Sequence, residues 1–152
     1  RDHNTARSVL DVFNDLYAMF GRETYCRLFP VILTDRGSEF SNPDPIEHDE
    51  NDELRSLVFY CNPSAPYQKG GIEVAHELVR RVLPKGKSFD DLQQEDIDLM
   101  LSHINSYKRG KLNSRSAYQL FNFIYGDDIL PKLNIREIEA NDIVLSPKLL
   151  KK

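Results

Sequence analysis

Two acidic residues sit where side chains can do chemistry. Asp35 follows the short apolar run Phe29-Pro30-Val31-Ile32-Leu33-Thr34, and Glu73 opens an amphipathic stretch 38 positions later. An acid at a strand end and another near a helix start stay close to solvent on rigid supports. Such carboxylates supply the oxygen ligands that Mg2+ or Mn2+ prefers. Two of these ions about 4 Å apart can activate an attacking oxygen and stabilise the leaving oxygen of a phosphodiester. Two carboxylates are few for that task, and a third acid is normally needed. Each residue also has a plain structural reading. Asp35 can cap the turn before Gly37, and Glu73 can belong to the wet face of a helix.

The elements that would position these acids are readable from periodicity. Apolar residues at Ala6, Val9, Leu10, Phe13, Leu16, Tyr17 and Phe20 predict a helix over 5–20, with Asn4 or Thr5 as N-cap and Gly21 as the stop. The run 29–34 is too short for a helix and reads as a buried strand, with Leu57-Val58-Phe59-Tyr60 as a second. Between them, 41–53 carries two prolines and many acids and is expected to be irregular. After the Gly70-Gly71 turn, Ile72 to Leu83 reads as a helix stopped by Pro84 and Gly86. Its inward side is expected at Ile72, Ala75, Val79, Val82 and Leu83, with Glu73, His76, Glu77 and Arg80 opposite. A further helix spans 96–107, with Ile97, Met100, Leu101, Ile104 and Tyr107 inward, and a shorter one holds Ala117, Leu120, Phe121 and Ile124. This order of helices and strands predicts a mixed α/β layer fold.

Composition sets the outer bounds. The 152 residues are 40% hydrophobic and 29% charged, as in an ordinary globular domain. Cys26 and Cys61 are too far apart in sequence to suggest a disulfide framework and suit a reducing compartment, so a cytoplasmic protein is expected. No apolar run reaches the roughly 18 residues of a membrane span. The net charge is −4, yet the charges are blocked. Segment 41–56 sets six acids against Arg55 alone, whereas 105–115 holds Lys108, Arg109, Lys111 and Arg115 and no acid. Segment 67–88 is also mainly basic. Such blocks are either solvated faces or strips for a phosphate backbone. Because the chain opens on Arg1 rather than Met, it is expected to be a fragment.

Thr34-Asp35-Arg36-Gly37-Ser38-Glu39-Phe40 resembles the T-D-x-G-x-x-F motif of the DDE integrase and transposase core. Gln68-Lys69-Gly70-Gly71-Ile72-Glu73 resembles the Q-K-G-x-x-E motif that carries the family's final Glu. The run Arg80-Arg81-Val82-Leu83-Pro84-Lys85-Gly86 resembles the R-x-x-x-P-K-G segment of insertion-sequence transposases of the IS-thirty family, and His103-Ile104-Asn105-Ser106 with Arg109 resembles the N-x-x-x-R segment that follows. These motifs cover about residues 30–125. The sequence departs from the pattern at Arg36, where many relatives have Asn, and at Ser116-Ala117, where Thr-Pro is usual.

The resemblance implies a ribonuclease H-like α/β fold, a mixed sheet flanked by helices and truncated at its N-terminus. The catalytic core would span 1–125 and a C-terminal extension 126–152. It also implies two-metal chemistry on DNA ends, namely nicking followed by strand transfer from a 3′-hydroxyl. Asp35 matches the family's second catalytic Asp and Glu73 its catalytic Glu, so both are expected to be catalytic and to hold Mg2+ or Mn2+. The family's first Asp lies on a strand preceding the first helix, and neither Asp2 nor Asp11 takes that place. The isolated chain is therefore expected to be inactive without an upstream acid; the alternative is a non-catalytic remnant that binds DNA or a partner. Lys69, Arg80, Arg81, Lys108 and Arg109 are the expected contacts to the DNA backbone. DNA is the expected partner, the intact protein is expected to be a homo-oligomer, and no membrane association is expected.

Overall fold

The computed structural model of the chain describes residues 5–62, 68, 70–86 and 88–150. It divides into two compact units, residues 1–70 and 71–152. The boundary by compactness falls at Gly70–Gly71. The fold is mixed α/β, but among the described residues the strands form two separate pairs. One pair is parallel and the other antiparallel.

The first unit opens on α1 (Ala6–Leu28). Thr5 caps it as expected: its hydroxyl accepts from the Ser8 N–H, and the Ser8 hydroxyl accepts from the Thr5 N–H. Gly21 breaks the helix at φ 73°, ψ 161°, a conformation that favours glycine, and a shorter helical stretch continues to Leu28. Then follow β1 (Val31–Thr34), the short helix α2 (Asp44–Glu47) and β2 (Leu57–Tyr60). Strands β1 and β2 pair in parallel, Val31 opposite Leu57 and Leu33 opposite Phe59. Those four side chains share one face and are 41–53% exposed, so β1 is not the fully buried strand expected. Only the face of Ile32, Thr34, Val58 and Tyr60 is covered. A continuous apolar run does not report which of its two faces finds a neighbour.

The acidic segment 41–53 is irregular as expected apart from the single helical turn α2 and the isolated bridge between His48 and Leu54. Arg55, just beyond it, is 4% exposed. Its Nε donates to the Ile46 carbonyl at 3.0 Å, and its Nη2 to Asn14 Oδ1 and the Pro45 carbonyl, both at 2.8 Å. The guanidinium lies 5.1 Å from the Tyr17 ring centre and 5.6 Å from that of Tyr25. Asp49 accepts from the Tyr17 hydroxyl at 2.7 Å, from the Glu53 and Asn51 N–H groups, and from Arg22 at 3.0 Å. The Tyr17 hydrogen bond leads in holding its carboxyl down at about 2, with the two N–H groups and the Arg22 charge adding to it. Glu47 Oε1 accepts from the Val58 N–H at 2.7 Å, tying α2 to β2.

The second unit contains α3 (Gly70–Val82), α4 (Gln94–Ser106), the two-residue strands β3 (Lys108–Arg109) and β4 (Arg115–Ser116), α5 (Ala117–Tyr125) and α6 (Ile129–Lys132). Leu78 and Val82 of α3 meet Met100 and Ile104 of α4 in a buried cluster. Val79, Val82 and Leu83 of α3 face inward as expected, but Leu78 belongs to the cluster too, Val74 packs beside it, and Ile72 is 46% exposed. On α4, Met100 and Ile104 are inward as expected, but so are Ser102, His103 and Ser106, while Tyr107 is exposed.

Those polar residues receive the C-terminal segment. Ser102 Oγ accepts from the Arg136 N–H at 3.2 Å, Ser106 Oγ from the Ile138 N–H at 2.9 Å, and His103 Nδ1 from the Val144 N–H at 3.1 Å. Ile135 is buried, and Leu145, Leu149 and Leu150 pack on the aliphatic cluster. Residues 135–150 are thus an integral part of the second unit. No helix among the described residues is long and apolar enough to cross a membrane.

Candidate functional site

Asp35 stands immediately after β1, where Thr34 is buried and its carbonyl accepts from the Cys61 N–H at 2.8 Å. The Asp35 side chain is exposed, and its Oδ1 accepts from the Gly37 N–H at 3.3 Å. That hydrogen bond is the turn-capping role open to any Asp before a turn. A helical turn over Ser38–Phe40 follows, and the Tyr60 hydroxyl donates to the Phe40 carbonyl. Gly37 takes an ordinary backbone angle, φ −62°, and a side chain placed there would first meet the flexible end of Glu39, which can swing aside. A Cβ there would lie 2.5 Å from the Glu39 carboxylate. Glu39 thus folds under the turn that presents Asp35.

Glu73 lies exposed in the first turn of α3, near a helix start that favours a carboxylate. His76, Glu77 and Arg80 are exposed on the same helix. Asp35 belongs to the first unit and Glu73 to the second. Their oxygen donors match the chemistry of Mg2+ or Mn2+, but two carboxylates are too few for a closed site. Among the described residues no three His, Cys, Asp or Glu side chains are grouped to hold a metal ion.

Of the expected DNA contacts, Lys69 lies outside the described residues, as does the neighbouring Tyr67. Arg80 is exposed. Arg81 pairs with Glu77 one turn earlier, at 2.9 Å. Arg81 and Lys108, read from two separate basic segments, line one depression of about 420 Å3 with Tyr107, Ala140, Ile143 and Leu145. The Arg109 guanidinium instead turns back to donate to the Ile104 carbonyl at 3.3 Å. Arg115 lies 5.9 Å from the Phe123 ring centre. The second basic strip is therefore split between three settings. Sequence reasoning missed Tyr107 as a surface residue because it continues the apolar spacing of α4. The signal available was its place at the helix end, directly before a run of bases.

A protein named as integrase ORF3 of Spiroplasma virus SpV1-R8A2 B is 30% identical over 120 residues, 79% of this chain and 35% of that protein. The transposase for insertion sequence element IS1086 of Cupriavidus metallidurans is 35% identical over 63 residues, 41% of the chain and 19% of the relative. The transposase InsI for IS30A of Escherichia coli K12 is 27% identical over 63 residues, 41% of the chain and 16% of the relative. The chain spans about a third or less of the length of these curated relatives. No family model matches it. No solved structure matches it significantly. The similarities support a transposase/integrase family for this chain.

Proposed function

We propose that the chain is part of the catalytic region of a DNA transposase or integrase with a ribonuclease H-like core. The observation that carries this reading is Asp35 at the carboxyl end of a parallel strand, followed by Glu73 in the first turn of α3, each within its motif. Asp35 and Glu73 would hold Mg2+ or Mn2+, and a third acid would come from a segment other than those described. When bound, such ions supply electrophilic activation of a phosphodiester. The chain's own residues then present the carboxylates on rigid supports and place cations along the DNA backbone. Arg80, Arg81 and Lys108 serve as the backbone contacts, which position the duplex without reading its sequence. The intact protein would act in the cytoplasm as a homo-oligomer.

The test is strand transfer by the full-length protein that contains this chain. Asp35→Asn and Glu73→Gln should each lower the rate at least about a hundredfold while leaving DNA binding in place. A rate within about twofold of the parent in either variant would refute the assignment. A second reading is a non-catalytic chain that binds DNA through the same bases, which requires no grouped metal ligands. Metal-independent DNA binding that falls steeply with salt, with no nicking by the full-length protein, is its signature.

A further inference from the structure

We propose that the depression on the second unit holds one unpaired nucleotide of a DNA strand, its base on the Tyr107 ring and its flanking phosphates on Lys108 and Arg81. The inference rests on the reading of the chain as DNA-acting and names what one surface of it would bind. The depression measures about 420 Å3, within the ~300–1,000 Å3 usual for small-ligand sites. Ala140, Ile143 and Leu145 give it apolar walls, and Arg81, Lys108 and Tyr107 complete its lining.

Tyr107 is 39% exposed, although it directly follows the buried Ser106 and lies three residues from the buried Ile104. A backbone turn at the C-terminal cap of α4 (φ −68°, ψ 123°) takes it out of the helix. The opposite wall is anchored, since Val144, between Ile143 and Leu145, donates its N–H to His103 at 3.1 Å. The site is thus formed before any ligand arrives. Arg81 meets Glu77 at 2.9 Å, an exposed pair within one helix. Such pairs are weak and exchange readily for a phosphate. Lys108 is exposed, and no ion pair involving it is found among the described residues.

A partly exposed aromatic side chain sharing a depression with two cations is a combination suited to single-stranded nucleic acid, because every base has a face to stack. Inside a duplex those faces are already covered, so a stacked base must be unpaired. Hydrogen-bond donors that would read a base edge are few here, so the site should select unpaired DNA with little sequence preference.

The full chain is titrated with two duplexes of equal length. One is blunt, and the other carries a three-nucleotide overhang containing 2-aminopurine. The overhang substrate should bind more tightly, with its emission quenched on binding. Tyr107→Leu should abolish the quench and weaken overhang binding about tenfold, towards the blunt value, leaving blunt binding unchanged. Tyr107→Phe should behave as the parent. Lys108→Ala should lower the slope of log affinity against log salt by about 0.7 to 1. If the parent binds both duplexes equally without a quench, or Tyr107→Leu changes neither, the nucleotide site is refuted and DNA binding stands. If the parent binds neither duplex, the DNA-acting reading fails, and this site with it.

Discussion

Residues 5–62 close around a buried guanidinium, whereas residues 71–150 close around four aliphatic side chains. In the first unit, Arg55 gathers two main-chain carbonyls, the Asn14 amide and two tyrosine rings into one arrangement. In the second, Leu78, Val82, Met100 and Ile104 pack without any directional requirement. The difference teaches where tolerance should lie. A planar fork with fixed donors accepts one geometry, whereas an aliphatic cluster accepts any side chain of about the right volume.

The sharpest way to break this contrast is substitution at Arg55. Arg55→Ala removes three hydrogen bonds from a charged group and strands the carbonyl of the buried Ile46. We expect a loss of about 4 kcal/mol in urea unfolding, with faster hydrogen exchange confined to residues 5–62. Arg55→Lys should recover only part of it, because an ammonium cannot reach the same acceptors together. Full recovery by lysine would show that charge alone is needed there. Next in size is Met100→Ala, expected to cost about 3 kcal/mol through the cavity it leaves. Met100→Leu should stay within about 1.5 kcal/mol of the parent. If leucine costs as much as alanine, the second unit is as geometrically exacting as the first.

Acid titration gives the smallest and most selective separation. His103 accepts a hydrogen bond on Nδ1, and burial, with the Arg136 charge adding, holds its pKa below the ordinary 6.5. The unfolded ring takes up its proton at higher pH than the folded one. Its contribution to the second unit is therefore full above about 6.5 and declines as the pH falls below that value. Asp49 behaves otherwise. Its carboxyl is held at about 2 against an ordinary 3.8, so its contribution is full above 3.8 and is lost as the pH falls through about 2. Exchange protection should weaken first in residues 135–150 and only in stronger acid around Asp49. His103→Asn should abolish the first step and Asp49→Asn the second. A single common transition in the parent would contradict separate stabilisation.

Much of the element pattern was legible. Thr5 and Gly21 mark the start and break of the first helix because capping and left-handed backbone angles are chemistry within one turn. The strand before Asp35 and the helix after Gly71 follow from spacing alone, so the supports of both acids were readable. Arg55 was not. Alone among six acids, it reads as a solvated base, and nothing nearby announces that carbonyls from 45 and 46 will turn inward to meet it. Ser102, His103 and Ser106 were equally hidden, because their partners are main-chain N–H groups 32 to 41 positions away. Tyr107 was assigned to the wrong side because periodicity continues through a helix end that the backbone does not follow.

From the order of residues alone came the helices, the strand preceding Asp35, the motif around each acid, and the blocks of positive charge. Each is settled by forces acting over a few neighbouring residues. Tertiary structure decided that one face of the β1–β2 pair is open, that a lone arginine is the centre of a unit, and that Arg81 and Lys108 share a depression while Arg109 turns away. Those outcomes depend on which distant backbone reaches a given side chain. Burial makes that arrival decisive, because a polar group removed from water must find a partner wherever the chain brings one.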